Sequence, residues 1–160
     1  MKKKITVPEI MATKNSDKKL SMVTCYDYTS AGLVDASNVD MILVGDSLGM
    51  VMLGLPGTVG VTVDDMVYHI KHVVKGAPNT FVVGDMPFGA YNGSIEKAVE
   101  NATRIFAEGG CDCVKMEGGM NAVPYIEAVV KAGIPVMGHI GLTPQASAMM
   151  GGFKVQGKST

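Results

Sequence analysis

Cysteine is scarce in this chain and cannot be fully paired: Cys25, Cys111 and Cys113 are an odd number without zinc-type spacing. They lie in or beside predicted strands and read as reduced core residues of a cytoplasmic protein. An excess of either charge is also missing. The formal net charge is -1, and Lys and Arg are interspersed among acids, so neither nucleic acid nor an anionic membrane is an expected partner. No apolar run reaches transmembrane length. The start, Met1-Lys2-Lys3-Lys4 and then Ile5-Thr6-Val7-Pro8-Glu9, lacks the apolar stretch of a secretory signal. Gly45, Gly49, Gly54, Gly57 and Gly60 form no Gly-x-Gly-x-x-Gly fingerprint opening a helix, which disfavours a dinucleotide site. His69 and His72 lack the His-Glu-x-x-His pattern and are expected on the solvated face of a helix. Small-molecule chemistry is what these absences leave.

The chain has 160 residues, 47% hydrophobic and 18% charged, enough apolar material for one globular domain. Thr6 to Glu9 is a capping box with proline in the first turn and predicts a helix over residues 7–15. Residues 21–26 read as a first strand and 29–37 as its helix. The second strand, Met41 to Gly45, runs into a long apolar, glycine-rich loop from Asp46 to Gly60. Thr62-Val63-Asp64-Asp65 opens a helix that Gly76-Ala77-Pro78 stops. A third strand covers Thr80 to Gly84, and Ser94 caps a helix ending at Gly109-Gly110. A fourth strand covers Asp112 to Met116, a helix follows from Asn121 or Ala122 to Ala132, and Pro135 to Gly138 form a fifth strand.

Strict alternation of strand and helix demands parallel strands with right-handed crossovers. A barrel and a flavodoxin-like doubly wound sheet both fit this pattern. An eight-unit barrel needs about 250 residues, so five units imply an incomplete barrel, with open edges and a C-terminal part outside this chain. The segment from Gly151 to Thr160 supplies no closing helix.

Three of these strands end on an acid: MILVGD at Asp46, TFVVGD at Asp85 and CVKME at Glu117. A fourth, PVMGH, ends on His139. Parallel strands place all four at one edge of the sheet, where α/β active sites are built. Three carboxylates gathered there repel one another, and a divalent cation with oxygen ligands, Mg²⁺, resolves the conflict. Lys115 and Glu117, two apart on one strand, share a face while Val114 and Met116 take the other. The plainer alternatives are an ordinary strand-end ion pair for Lys115 and Glu117, turn or capping roles for the two aspartates, and a satisfied strand-end imidazole for His139. The glycines before Asp46 and Asp85 allow a turn or a close approach. Cys111 and Cys113 are expected on one strand face, in packing roles.

The segments Val44-Gly45-Asp46-Ser47-Leu48-Gly49-Met50, Gly84-Asp85-Met86-Pro87-Phe88, Val114-Lys115-Met116-Glu117-Gly118-Gly119 and Gly138-His139-Ile140-Gly141-Leu142-Thr143-Pro144-Gln145 resemble the ketopantoate hydroxymethyltransferase family. Thr24 to Tyr28 and Gly151 to Gly157 look like further segments of it, so the likeness runs the length of the chain in the right order. The resemblance implies a (β/α)₈ TIM barrel of the phosphoenolpyruvate/pyruvate superfamily. It implies hydroxymethyl transfer from 5,10-methylenetetrahydrofolate to 3-methyl-2-oxobutanoate, giving 2-dehydropantoate through a Mg²⁺-stabilised enolate. It also implies Asp46 and Asp85 as direct Mg²⁺ ligands, Glu117 near the metal through water, and Ser47, Lys115 and His139 as oxo-acid ligands alongside the two aspartates. A homo-oligomer, a decamer, is the implied assembly. The family's general base is a glutamate on a later strand, so no catalytic base is expected within residues 1–160, and weak or no activity from those residues alone. Another Mg²⁺-dependent lyase or mutase on the same barrel, or a non-catalytic barrel segment, are the alternatives.

Overall fold

The computed structural model describes residues 2–157. Helix α1 (Val7–Ala12) continues as a 3₁₀ turn to Asn15. It is opened by Thr6, whose backbone N and Oγ1 both donate to Glu9 Oε2 at 2.8 and 2.7 Å. The alternating units are β1 (Met22–Thr24), α2 (Tyr28–Asp35), β2 (Met41–Val44), α3 (Leu48–Val51), α4 (Val63–Gly76), β3 (Phe81–Asp85), α5 (Ile95–Thr103), β4 (Cys113–Glu117), α6 (Val123–Lys131) and β5 (Val136–His139). A π turn, Arg104–Glu108, extends α5, and a 3₁₀ turn, Met120–Ala122, leads into α6.

All neighbouring strands pair in parallel, in the spatial order β1-β2-β3-β4-β5. Sequential order without a reversal is that of a barrel wall. It excludes the flavodoxin-like alternative, which needs the first strand to lie inside the second. The first strand is shorter than expected, and α2 begins at Tyr28 because Asp27 caps it, Oδ1 accepting from Ser30 N at 2.9 Å and Oδ2 from Ser30 Oγ at 2.6 Å.

Alternation divides the core into two layers. Ile42, Val44, Val82, Val114 and Met116 face the helices and pack on Met66, Ile70, Val73 and Ile105. The spacing Met66, Ile70, Val73 is one apolar stripe of α4, and each fully buried side chain contributes about 1.5–3 kcal/mol. Met41, Phe81, Val83 and Cys113 face the other way, where Ile5, Val7 and Ile10 of the N-terminal segment cover them. Cys111 belongs to the helix layer and Cys113 to the inner layer, so the two do not share a face: Cys111 precedes β4, where strand alternation does not apply. Burial pushes both thiols up to about 12, as suits inert packing.

The loop after Asp46 is not free of structure. Leu48 N, Gly49 N and Met50 N bond back to the carbonyls of Gly45, Asp46 and Ser47, which winds the chain into α3 and buries Leu48 and Gly49. The two glycines at the strand ends have different reasons. A Cβ on Gly84 would meet Ile70 Cδ1 at 2.7 Å and Ile105 Cγ2 at 3.0 Å, whereas one on Gly45 would meet Ser47 Oγ at 3.0 Å. Neither sits at positive φ, so close approach rather than a turn requires them.

Candidate functional site

The parallel sheet delivers Asp46, one residue beyond Gly45 at the end of β2, and Asp85, Glu117 and His139, the last residues of β3, β4 and β5, to one rim. The register sets Asp85 beside Lys115 and Glu117 beside His139, and alternation turns Lys115 and Glu117 to the inner face. Asp46, Asp85, Lys115 and Glu117 are between 2% and 7% exposed, so their charges must be answered within the protein.

Lys115 Nζ donates to Asp85 Oδ1 at 2.6 Å and lies 3.9 Å from Glu117 Oε2. The backbone N of Asp46 donates to Asp85 Oδ2 at 3.3 Å, joining the two aspartates directly. His139 Nδ1 is 3.3 Å from Glu117 Oε2, and both are buried without a hydrogen-bond partner. Ser47 Oγ lies 2.8 Å from Tyr26 Oη, which tethers it at the rim. The strand ends therefore bring Asp46, Asp85 and Lys115 together and place Glu117 with His139 beside them. Among the described residues no three His, Cys, Asp or Glu side chains are gathered as a ready-made metal cage. Asp85 is engaged by Lys115 and Asp46 N, and Glu117 Oε1 accepts from Gln145 N at 2.8 Å.

Two residues that the sequence reading did not single out complete the site. Gln145, on the 3₁₀ turn Pro144–Ala146, donates from Nε2 to Asp46 Oδ2 at 2.8 Å and to the Met86 carbonyl at 2.9 Å. The Tyr91 hydroxyl is shared between the Glu117 carbonyl at 2.8 Å and Gln145 Oε1 at 3.1 Å. Gln145 ends a motif the sequence displays, but Tyr91 carries no local signal. His69 is not on a solvated face: it is half-buried, with Nδ1 2.7 Å from the Tyr26 carbonyl, because α4 packs its side against the start of α2. His72 is likewise half-buried, with Nδ1 2.7 Å from the Tyr68 carbonyl of its own helix.

Burial raises Asp46, Asp85 and Glu117 above the ordinary carboxylate range, with Lys115 opposing the rise in each. Asp85 is pushed up to about 7, and the neighbouring Asp46 adds to the effect. Three carboxyl groups thus face one ammonium. One buried carboxylate oxygen, Glu117 Oε2, is orphaned, with the unpartnered His139 Nδ1 beside it, and the carboxylates supply oxygen donors. That set suits a hard divalent cation, with Asp46 and Asp85 the residues that could hold it and Glu117 within reach. The burial has a consequence for stability. A folded-state value near 7 lies above the usual 3.8 of an aspartate, so this group's stabilising contribution is complete below that lower value and lost as pH rises through 7. The melting temperature of the metal-free chain is expected to fall between pH 5 and pH 8, and saturating Mg²⁺ at pH 8 to raise it. Thermal melts across that interval check this, and a rise with pH in the absence of metal would contradict it.

Compared with known families, residues 4–160 match the family model described as ketopantoate hydroxymethyltransferase. The chain belongs to this family. Among curated ketopantoate hydroxymethyltransferases, named 3-methyl-2-oxobutanoate hydroxymethyltransferase, it is 59% identical to that of Heliobacterium modesticaldum over 99% of this chain and 58% of that protein. It is 55% identical to that of Desulfotalea psychrophila, over 96% of this chain and 55% of that protein. For the protein from Moorella thermoacetica the identity is 53%, over 98% of this chain and 58% of that one. The chain therefore spans little more than half the length of these relatives. Solved structures place the ketopantoate hydroxymethyltransferase fold among (β/α)₈ barrels. A 2,3-dimethylmalate lyase of the PEP mutase/isocitrate lyase superfamily matches with TM-score 0.61 at 19% identity, over 80% of this chain and 50% of that one. A phosphonopyruvate hydrolase solved with oxalate and Mg²⁺ matches with TM-score 0.66 at 10% identity, over 84% and 52%. These distant likenesses concern the fold alone. No helix among the described residues is long and apolar enough to cross a membrane.

Proposed function

We propose that this chain carries the metal- and oxo-acid-binding part of a 3-methyl-2-oxobutanoate hydroxymethyltransferase, the enzyme that moves a hydroxymethyl group from 5,10-methylenetetrahydrofolate to 3-methyl-2-oxobutanoate and yields 2-dehydropantoate. The observation that supports this most is the buried set of Asp46, Asp85, Lys115 and Glu117 on one rim of the sheet, in a chain of this family.

In this reading Asp46 and Asp85 hold Mg²⁺, and Glu117 stands close to it through water. Bound there, the cation would act as a Lewis acid on the ketone oxygen of the oxo-acid. The residues of the chain do the rest of the binding work. Lys115, held on the inner face by Asp85, sets a positive charge where the ketone oxygen gains negative charge as the adjacent C–H is deprotonated. Ser47, tethered by Tyr26, and His139, whose imidazole is 32% exposed at the rim, offer hydrogen bonds to the substrate's carboxylate. A cavity of about 420 Å³ is lined by Met22, Leu43, Met137 and Ile140 together with Lys115 and His139. Its apolar walls suit the branched aliphatic end of the oxo-acid, with Lys115 at the ketone oxygen and the His139 imidazole toward the carboxylate.

The test is product identity. Protein of the relatives' full length that contains this chain, incubated with 3-methyl-2-oxobutanoate, Mg²⁺ and 5,10-methylenetetrahydrofolate, is expected to form 2-dehydropantoate. Folded protein that binds the oxo-acid and yields a different product, or none, would reject the reading.

A further inference from the structure

We propose that Gln145 is a positioning residue for the cation site: its neutral side-chain amide fixes Asp46, and its backbone N–H holds Glu117, in their binding orientation without the residue itself touching the cation. This rests on the metal reading given above and concerns a residue outside the ligand set.

The argument is one of exhausted hydrogen-bonding capacity. Gln145 is 7% exposed, and both its amide N–H groups are used, one on Asp46 Oδ2 and one on the Met86 carbonyl. Both partners are acceptors, so the orientation of the amide is dictated: the opposite flip would set Oε1 against a carboxylate and a carbonyl. Oε1 then faces the Tyr91 hydroxyl, and the backbone N of the same residue donates to Glu117 Oε1. One residue, carried on the loop after β5, thereby joins the ends of β2, β3 and β4.

An amide is the side chain that can do this. A glutamate would add a fourth carboxylate to a rim already short of positive charge. A lysine would compete with the cation, and an aliphatic side chain would leave two buried acceptors without donors. With Asp46 Oδ2 engaged by Gln145, the other carboxylate oxygen is the one left to face a cation, so the amide sets how Asp46 is presented. Groups that orient ligands in this way typically contribute about 10–100-fold to metal affinity.

The experiment is a Mn²⁺ titration of the chain, followed by loss of the free-ion electron paramagnetic resonance signal and by the line shape of the bound ion. It is carried out below the melting transition of each protein. Gln145→Met keeps the volume and removes the side-chain hydrogen bonds to Asp46, Met86 and Tyr91 while leaving the backbone bond to Glu117, and Asp46→Asn removes a ligand. Wild type is expected to bind, Asp46→Asn to lose binding, and Gln145→Met to bind about 10–100-fold more weakly with an altered line shape while still melting cooperatively. Wild-type affinity in Gln145→Met, alongside loss in Asp46→Asn, overturns the positioning role and leaves the metal reading standing. Absent binding in wild type, or undiminished binding in Asp46→Asn, overturns the metal reading and this proposal with it. Should Gln145→Met fail to melt cooperatively, Tyr91→Phe decides in its place. That variant frees Oε1 and also removes the hydroxyl from the Glu117 backbone while leaving both Nε2 bonds of Gln145 in place, so a smaller loss in the same direction supports the proposal and unchanged affinity overturns it.

Discussion

Asp46→Asn is expected to weaken Mg²⁺ binding by about 100-fold, the equivalent of about 2.8 kcal/mol, and to do so without unfolding the protein. Asparagine has the same size, and its carbonyl oxygen can still accept from Gln145 Nε2, so the 2.8 Å contact that seats the residue survives. What is lost is a negative charge. Asp46 is 4% exposed and its carboxyl is raised by burial, which means that ionising it costs free energy unless a cation answers it. The metal-free melting temperature of Asp46→Asn at pH 8 is therefore expected to equal or exceed that of wild type, while the rise on adding Mg²⁺ disappears. Calorimetric titration together with thermal melts separates these effects. A variant that melts lower and binds Mg²⁺ as well as wild type would show that Asp46 is a structural acid.

Lys115→Met should produce the opposite pattern. The ammonium is the positive charge that faces Asp85 at 2.6 Å, and Glu117 is the next nearest acid at 3.9 Å. Removing one partner of a buried pair leaves the other uncompensated, at a cost of about 3–5 kcal/mol. At pH 8 the metal-free variant is expected to lose stability on that scale. Lowering the pH restores part of it, because Asp85, without the ammonium that opposes its rise in wild type, titrates higher still and is then neutral. Mg²⁺ should stabilise the variant more than it stabilises wild type, since the cation takes over the neutralising role. In full-length protein, kcat is expected to fall about 100-fold or more, the usual cost of removing a group that answers charge developing in the transition state. Denaturant unfolding at pH 6 and pH 8, with and without Mg²⁺, reads the stability part. Unchanged stability at pH 8 would mean that Lys115 is not the counter-charge of the site.

Most of the element pattern was readable because local chemistry decides it. Thr62 Oγ1 accepts from Asp65 N at 3.1 Å while Asp65 Oδ2 accepts from Thr62 N at 2.9 Å, and Ser94 Oγ accepts from Lys97 N, as those short motifs imply. The convergence of Asp46, Asp85, Glu117 and His139 followed from parallel strands alone. The strand order could not be read in that way, since a barrel wall and a doubly wound sheet share the same alternation and differ only in which strands pair. Asp27 carries a weak capping signal because it sits in a run of polar and aromatic residues with no apolar stripe behind it. The division of Cys111 from Cys113 depends on where β4 begins. Gln145 and Tyr91 acquire their importance through contacts 99 and 26 residues away along the chain, to Asp46 and Glu117. No local motif encodes such distances.

The reading stands on a single cation shared by Asp46 and Asp85. Crystals grown with Mn²⁺ in place of Mg²⁺ and with 3-methyl-2-oxobutanoate would show the ion directly by its anomalous scattering. The predicted result is one peak bonded, at about 2.0–2.2 Å, to a carboxylate oxygen of each aspartate, with the oxo-acid beside it and Lys115 within hydrogen-bonding reach of the substrate. No peak between the two aspartates at saturating metal, with Lys115 still bonded to Asp85, would contradict the account.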